Sequence, residues 1–148
     1  MKRILVPLDQ TFESEAVVPL IADAARGIGA TVRLLYVAPM PDAVVDVDGR
    51  IIAYADQEAA RVEAMGLDYL RTIEIGLNGI PVELVVRFGD PAEEIVRGAA
   101  DFGADLIALT TRRRAGLRRL APGGTAEQVC READAAVMLL RQASAMAA

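Results

Sequence analysis

Arg3-Ile4-Leu5-Val6-Pro7 opens the chain with an apolar burst of strand length in which polar and apolar residues do not alternate. A strand that reads this way is covered on both faces, the pattern of a parallel sheet packed between helices. Four further bursts share it: Thr31 to Val37, Val82 to Val86, Leu106 to Thr110 and Ala136 to Arg141. The segments between them are long enough for crossover helices. Helical spacing runs through Val17, Val18, Ile21, Ala25 and Ile28 in the first and through Val62, Met65, Tyr69, Ile73 and Leu77 in the second. Strands alternating with helices require parallel pairing and right-handed crossovers.

Helix ends fit this register. Asp90-Pro91-Ala92-Glu93 supplies an N-cap, a first-turn proline and a capping-box carboxylate ahead of Ile95 and Val96, and Gly29, Gly79 and Gly103 stand where helices should stop. Pro19 conflicts with a helix capped by Ser14, so that helix is expected to start late or to kink. Residues 43–54 carry an Asp48-Gly49 pair between apolar flanks and read as a small hairpin or flap inserted before the second long helix. Asp46, Asp48 and Gly49 do not make a calcium loop, because the later ligand positions are apolar.

Composition narrows the function classes. With 148 residues the chain has the size of one domain, and with 53% hydrophobic but only 4% aromatic residues its core is built from Val, Leu, Ile and Ala. A formal charge of −5 argues against nucleic acid or an anionic membrane as partner. The single Cys130 cannot form an internal disulfide and reads as a small apolar helix residue; with no His, neither a zinc cage nor a His-dependent triad can be assembled, and no metal is expected. Met1 to Val6 is too short an apolar start for a signal peptide, and no apolar stretch reaches the roughly 20 residues of a membrane span, so a cytoplasmic location is expected.

Ligands of an open parallel sheet bind beyond the carboxyl ends of its strands. Those ends are Pro7-Leu8-Asp9, Tyr36-Val37-Ala38, Phe88-Gly89-Asp90 and the stretch from Thr110 to Gly124. Asp9 is placed either to accept hydrogen bonds from a ligand or to cap the following helix. No Gly-x-Gly-x-x-Gly follows a strand and no Walker sequence occurs. From Arg112 to Arg119, five of the chain's 16 Lys and Arg residues fall within eight positions, just before Gly123-Gly124-Thr125 opens a helix. Such a helix start favours anions, which reads as a phosphate-binding loop; the alternative is a solvated basic loop.

The opening Ile4-Leu5-Val6-Pro7-Leu8-Asp9, then Leu35-Tyr36-Val37, Gly89-Asp90-Pro91, Gly116-Leu117 to Ala126-Glu127, and the closing Val137-Met138-Leu139-Leu140-Arg141 follow one another in a familiar order and spacing. In these the chain resembles the universal stress protein family, single-domain type, over essentially all of residues 1–148. Together with the strand and helix alternation, the resemblance implies an open five-stranded parallel sheet in the order 3-2-1-4-5 with helices on both faces, of the Rossmann-like adenine nucleotide alpha hydrolase type. The nucleotide-binding branch of that family carries a loop Gly-x2-Gly-x9-Gly-Ser/Thr. An ungapped alignment on Gly116-Leu117 and Ala126-Glu127 sets Thr110 and Arg113 at its first two glycines, Gly123 at the third and Gly124 at the hydroxyl; sliding one residue puts Gly124-Thr125 at the end and Thr111 and Arg114 at the start. Either way the first half of the motif is broken, and the loop resembles the non-ATP-binding branch more closely. Asp9 and Val37 match the family's base and ribose positions.

The candidate nucleotide-binding residues are therefore Pro7, Asp9, Val37, Thr110, Arg113, Gly123, Gly124 and Thr125, with no catalytic residue assigned. No cofactor is assigned from the residues themselves; the resemblance leaves ATP or another adenine nucleotide as the ligand to test. The resemblance favours a dimeric, non-catalytic stress-response regulatory module; the alternative is an ATP- or AMP-binding protein with slow ATP hydrolysis or phosphotransfer. The last strand, apolar and at an edge, is expected to pair with its copy in a homodimer through Val137, Met138, Leu139 and Leu140. Residues 142–148 are expected to form a disordered tail.

Overall fold

The computed structural model describes residues 2–112 and 124–142, with the backbone alone at 112 and 142. Five strands, β1 (Arg3–Leu8), β2 (Thr31–Ala38), β5 (Val82–Phe88), β6 (Leu106–Arg112) and β7 (Ala136–Gln142), form one sheet in the order β5-β2-β1-β6-β7, every pairing parallel. Counting only these five, this is the 3-2-1-4-5 order expected from the sequence. The helices are α1 (Val18–Ile28), α2 (Ala55–Glu74), α3 (Pro91–Phe102) and α4 (Thr125–Glu132). Two short strands, β3 (Val44–Val45) and β4 (Ile51–Ala53), pair antiparallel as a separate hairpin.

The unbroken apolar bursts are explained by two cores, one on each face. Successive side chains of a strand point to opposite faces. Ile4, Val6 and Leu8 of β1 and Val32 and Leu34 of β2 join Ile21, Ala25, Leu70 and Leu77 on the α1/α2 side. Leu5 and Leu35 join Ile95, Ala99, Phe102, Ile107, Leu109 and Val129 on the α3/α4 side. Leu5, Leu34, Leu35 and Ile107 are fully buried, and each contributes roughly 1.5–3 kcal/mol of transfer free energy.

Helix boundaries follow from local chemistry. The Asp90 carboxylate accepts from the Glu93 N–H at 3.1 Å, and Pro91 occupies the first turn, where no N–H is missed. Gly29 and Gly103 end α1 and α3 at φ 67° and 69°, in the left-handed region that glycine enters without penalty. The Pro19 conflict resolves by a late start: residues Ser14–Val17 form a 3-10 turn and α1 begins only at Val18. Ser14 is consequently not its N-cap.

Three sequence expectations are corrected. Ile28 and Met65, placed on the buried stripes of their helices, are 58% and 56% exposed. Ile28 ends α1 just before the chain turns away, and on α2 the inward positions are Gly66 and Leu70, one step round from Met65. Cys130, read as a small apolar helix residue, does lie on a helix but is exposed, because Val129 takes the inward position of the short α4. In the hairpin, Asp46 Oδ1 accepts from the N–H groups of Asp48 and Arg50, and Gly49 takes φ 81° to close the turn. Its Val45, Val47, Ile51 and Ile52 are exposed.

Candidate ligand cleft

A cleft of about 200 Å³ opens at the carboxyl ends of β1, β2 and β6, many times the ~30 Å³ taken by one water. It lies on the α3/α4 side, where the strand order reverses between β1 and β6, the place at which open α/β sheets take ligands. Leu35, Val37, Ile95 and Leu109 give it an apolar wall, Pro91 brings the start of α3 and Thr125 and Ala126 the start of α4. Its polar groups are Asp9, Ser14, Thr110 and Thr125.

Asp9 follows β1 directly, and its carboxylate folds back on its own loop. Oδ1 accepts from the Thr11 N–H at 3.0 Å and from the Thr11 hydroxyl. The Asp9 N–H donates to Ser14 Oγ at 3.2 Å, while the Ser14 hydroxyl donates to the Thr11 carbonyl at 2.9 Å. Burial pushes the Asp9 carboxyl up, but the bonds from Thr11 and Ser14 outweigh it and hold the pKa below the usual aspartate value. The group is thus an anionic acceptor at neutral pH and a weak base. Of the two sequence readings, helix capping is not what Asp9 does, since its partner is Thr11 and α1 starts at Val18.

Of the eight candidate residues, Pro7, Asp9, Val37, Thr110 and Thr125 come together in the cleft. Gly124 is the residue ahead of α4, with φ −59° and ψ 153°, and does not line it. Arg113 and Gly123 lie outside the described residues. Sequence reasoning missed Leu8, Leu35, Pro91, Ile95, Leu109 and Ala126 as cleft wall and used Ser14 only as a cap. Their signal was partial: Leu8, Pro91 and Ala126 sit at a strand end or a helix start already recognised, whereas Leu35, Ile95 and Leu109 lie inside their elements, and nothing in the sequence tells which apolar residues near such a boundary face the opening. Among the described residues, no group of three or more acidic or cysteine side chains gathers where a metal ion could be held.

The chain is thus a parallel α/β protein with a cleft at its strand-order reversal, where open sheets of this class take their ligands. The chain belongs to the universal stress protein family, whose sequence profile matches residues 1–141. Among solved structures it is similar to hypothetical protein MJ0577, with a TM-score of 0.74 at 21% identity, covering 97% of this chain and 98% of the other. It is also similar to a universal stress protein in complex with cAMP (TM-score 0.65, 15% identity, 95% and 96% covered). A third relative in fold is the universal stress protein from Archaeoglobus fulgidus in complex with dAMP (TM-score 0.57, 20% identity, 94% and 97% covered). At these identities the likeness is one of fold. A comparison with curated proteins gives no match. No described helix is long and apolar enough to cross a membrane.

Proposed function

We propose that this chain is a dimeric, non-catalytic stress-response module of residues 1–148 that signals by the occupancy of its cleft, and that the occupant is an adenine nucleotide. The observation that carries the reading is the convergence of Pro7, Asp9, Val37, Thr110 and Thr125 on one cleft with an apolar wall. A purine ring suits the slot between Val37, Leu35 and Ile95, and the Asp9 carboxylate is an acceptor for a ribose hydroxyl or an exocyclic amine. The first turn of α4, with the Thr125 hydroxyl, offers N–H groups to a phosphate. Two proteins of the same fold, solved with cAMP and with dAMP, support the ligand class.

The non-catalytic part rests on the side chains at hand. Among the described residues that line the cleft, the one carboxylate, Asp9, is held as a weak base by Thr11 and Ser14, and the other polar side chains are hydroxyls. Titration calorimetry of the purified chain with AMP, cAMP and ATP tests the reading. Micromolar binding of at least one of them, weakened tenfold or more by Asp9→Ala and by Val37→Arg, is expected. No binding at millimolar nucleotide would overturn it, and ATP turnover abolished by Asp9→Ala would replace it with slow hydrolysis.

A further inference from the structure

The loop from Asp9 to Ser14 is held in a conformation that its own sequence does not favour. Gln10 has φ 68°, in the left-handed region where a side chain is penalised, and Phe12 is 81% exposed. Such geometry persists only where the surroundings over-determine it. Most of the loop's bonds are local, joining Asp9, Thr11 and Ser14 to one another. Two reach further. The Thr110 hydroxyl donates to the Ser14 carbonyl at a long 3.4 Å. The Tyr69 hydroxyl, from the C-terminal part of α2, donates to Glu15 Oε2 at 2.7 Å.

The second bond is the better built. The Tyr69 ring stands edge-on to Tyr36 of β2, centroids 6.5 Å apart at 72°, so its hydroxyl is aimed by packing on the sheet. Its acceptor is ionic, which about doubles the strength of a hydrogen bond relative to a neutral pair. We infer that Tyr69 and Glu15 are positioning residues for the cleft: their bond clamps the loop so that Asp9 and Ser14 stay turned to the ligand. Burial, and then the bond to Glu15, push the Tyr69 pKa up, so the phenol remains a donor at any physiological pH. This inference rests on the nucleotide reading for its ligand but not for its effect on the loop.

The full chain is compared with Tyr69→Phe, which keeps the ring and removes the hydroxyl, and with Glu15→Gln, which keeps an acceptor oxygen. Two quantities are read well below the melting temperature: AMP affinity by calorimetry, and amide exchange at Asp9, Thr11 and Ser14 with Glu93 and Glu94 of α3 as internal control. Tyr69→Phe is expected to weaken AMP about tenfold and to speed exchange of the three loop amides while leaving the α3 amides unchanged; Glu15→Gln should stay within about threefold of the native chain. A Tyr69→Phe protein with native affinity and native loop exchange overturns the inference, as does one that merely melts earlier. Should Tyr69→Phe not fold, Glu15→Ala removes the same bond from the other side and is judged by the same two readouts. If the native chain binds no AMP, the nucleotide reading fails and loop exchange alone decides whether the clamp exists.

Discussion

Gly66 on α2 packs directly against the Tyr36 ring of β2: a Cβ on Gly66 would lie 2.9 Å from Tyr36 Cδ2 and 2.9 Å from Val86 Cγ2. Both distances are shorter than carbon atoms tolerate, and the Tyr36 ring is already fixed edge-on to Tyr69. Gly66→Ala gains helix propensity but must push α2 off the sheet, and overpacking of this kind costs about 1–3 kcal/mol. A net loss of about 1–2 kcal/mol is expected in urea unfolding. An Ala variant more stable than the native chain would show that the sheet yields there.

The Asp90 cap gives a second, independent test. Its carboxylate serves the Glu93 N–H at the first turn of α3, the helix whose Pro91 and Ile95 line the cleft. Asp90→Ala should lose about 1 kcal/mol and melt roughly 2–4 °C earlier, while Asp90→Asn, a comparable cap, stays near native. Equal losses in the two variants would point to charge rather than to the cap.

Stability should also fall in acid through Asp9. Its pKa is below the ordinary value of 3.8, because the Thr11 and Ser14 bonds overcome the upward push of burial. A depressed folded pKa means that the stabilisation is present above the unfolded value and is lost as pH falls through the folded one. Asp9→Asn keeps an oxygen for Thr11 but cannot titrate. Urea midpoints taken from neutral pH down to about pH 3 should therefore fall more steeply for the native chain, the two curves converging in acid. Parallel curves would remove Asp9 from the pH dependence.

The proposed dimer is tested at β7, which ends the sheet beyond β6 and carries Leu139 at 43% exposure. Val137, Met138 and Leu140 are partly buried against the two cores, so Leu139 is the apolar side chain whose replacement disturbs the fold least. Sedimentation should give twice the mass of 15.7 kDa for the native chain and the monomer mass for Leu139→Lys, with unchanged circular dichroism. A native monomer at micromolar concentration would refute the pairing.

The strands and helix ends were readable because their signals are local, whereas the order of the strands followed from the family resemblance taken with the strand and helix alternation. Unalternating bursts such as Arg3 to Pro7 mean cover on two faces, and Asp90-Pro91 and Gly103 punctuate α3 within a few residues of where it starts and ends. The misreadings came from positions that a linear pattern leaves ambiguous. Met65 and Gly66 are neighbours on α2, and only the closeness of Tyr36 and Val86 decides that the glycine faces inward. Asp9, Val37, Thr110 and Thr125 were legible through their places at strand ends and a helix start. Ile95 and Leu109 were not, since their apolar character is shared with the core beneath, and Tyr69 was read as one more core residue although its hydroxyl reaches a residue 54 positions away.

Placing β1 in the middle of the sheet also sets the order in which the chain acquires structure during synthesis. Its partner β2 begins soon after it, so Ile4 can pair beside Val32 early, but its other neighbour, β6, enters at Leu106. The bond from the Arg3 N–H to the Asp105 carboxylate spans 102 positions and cannot form before residue 105 has been made. Until β6 and then α4 have been made, one edge of β1 and the face carrying Leu5 lack their cover, which presents an emerging chain with an open strand edge and apolar surface. A nascent chain halted before residue 106 should thus be protease-sensitive and retained by holdase chaperones, whereas one released past β7 should lose both properties together.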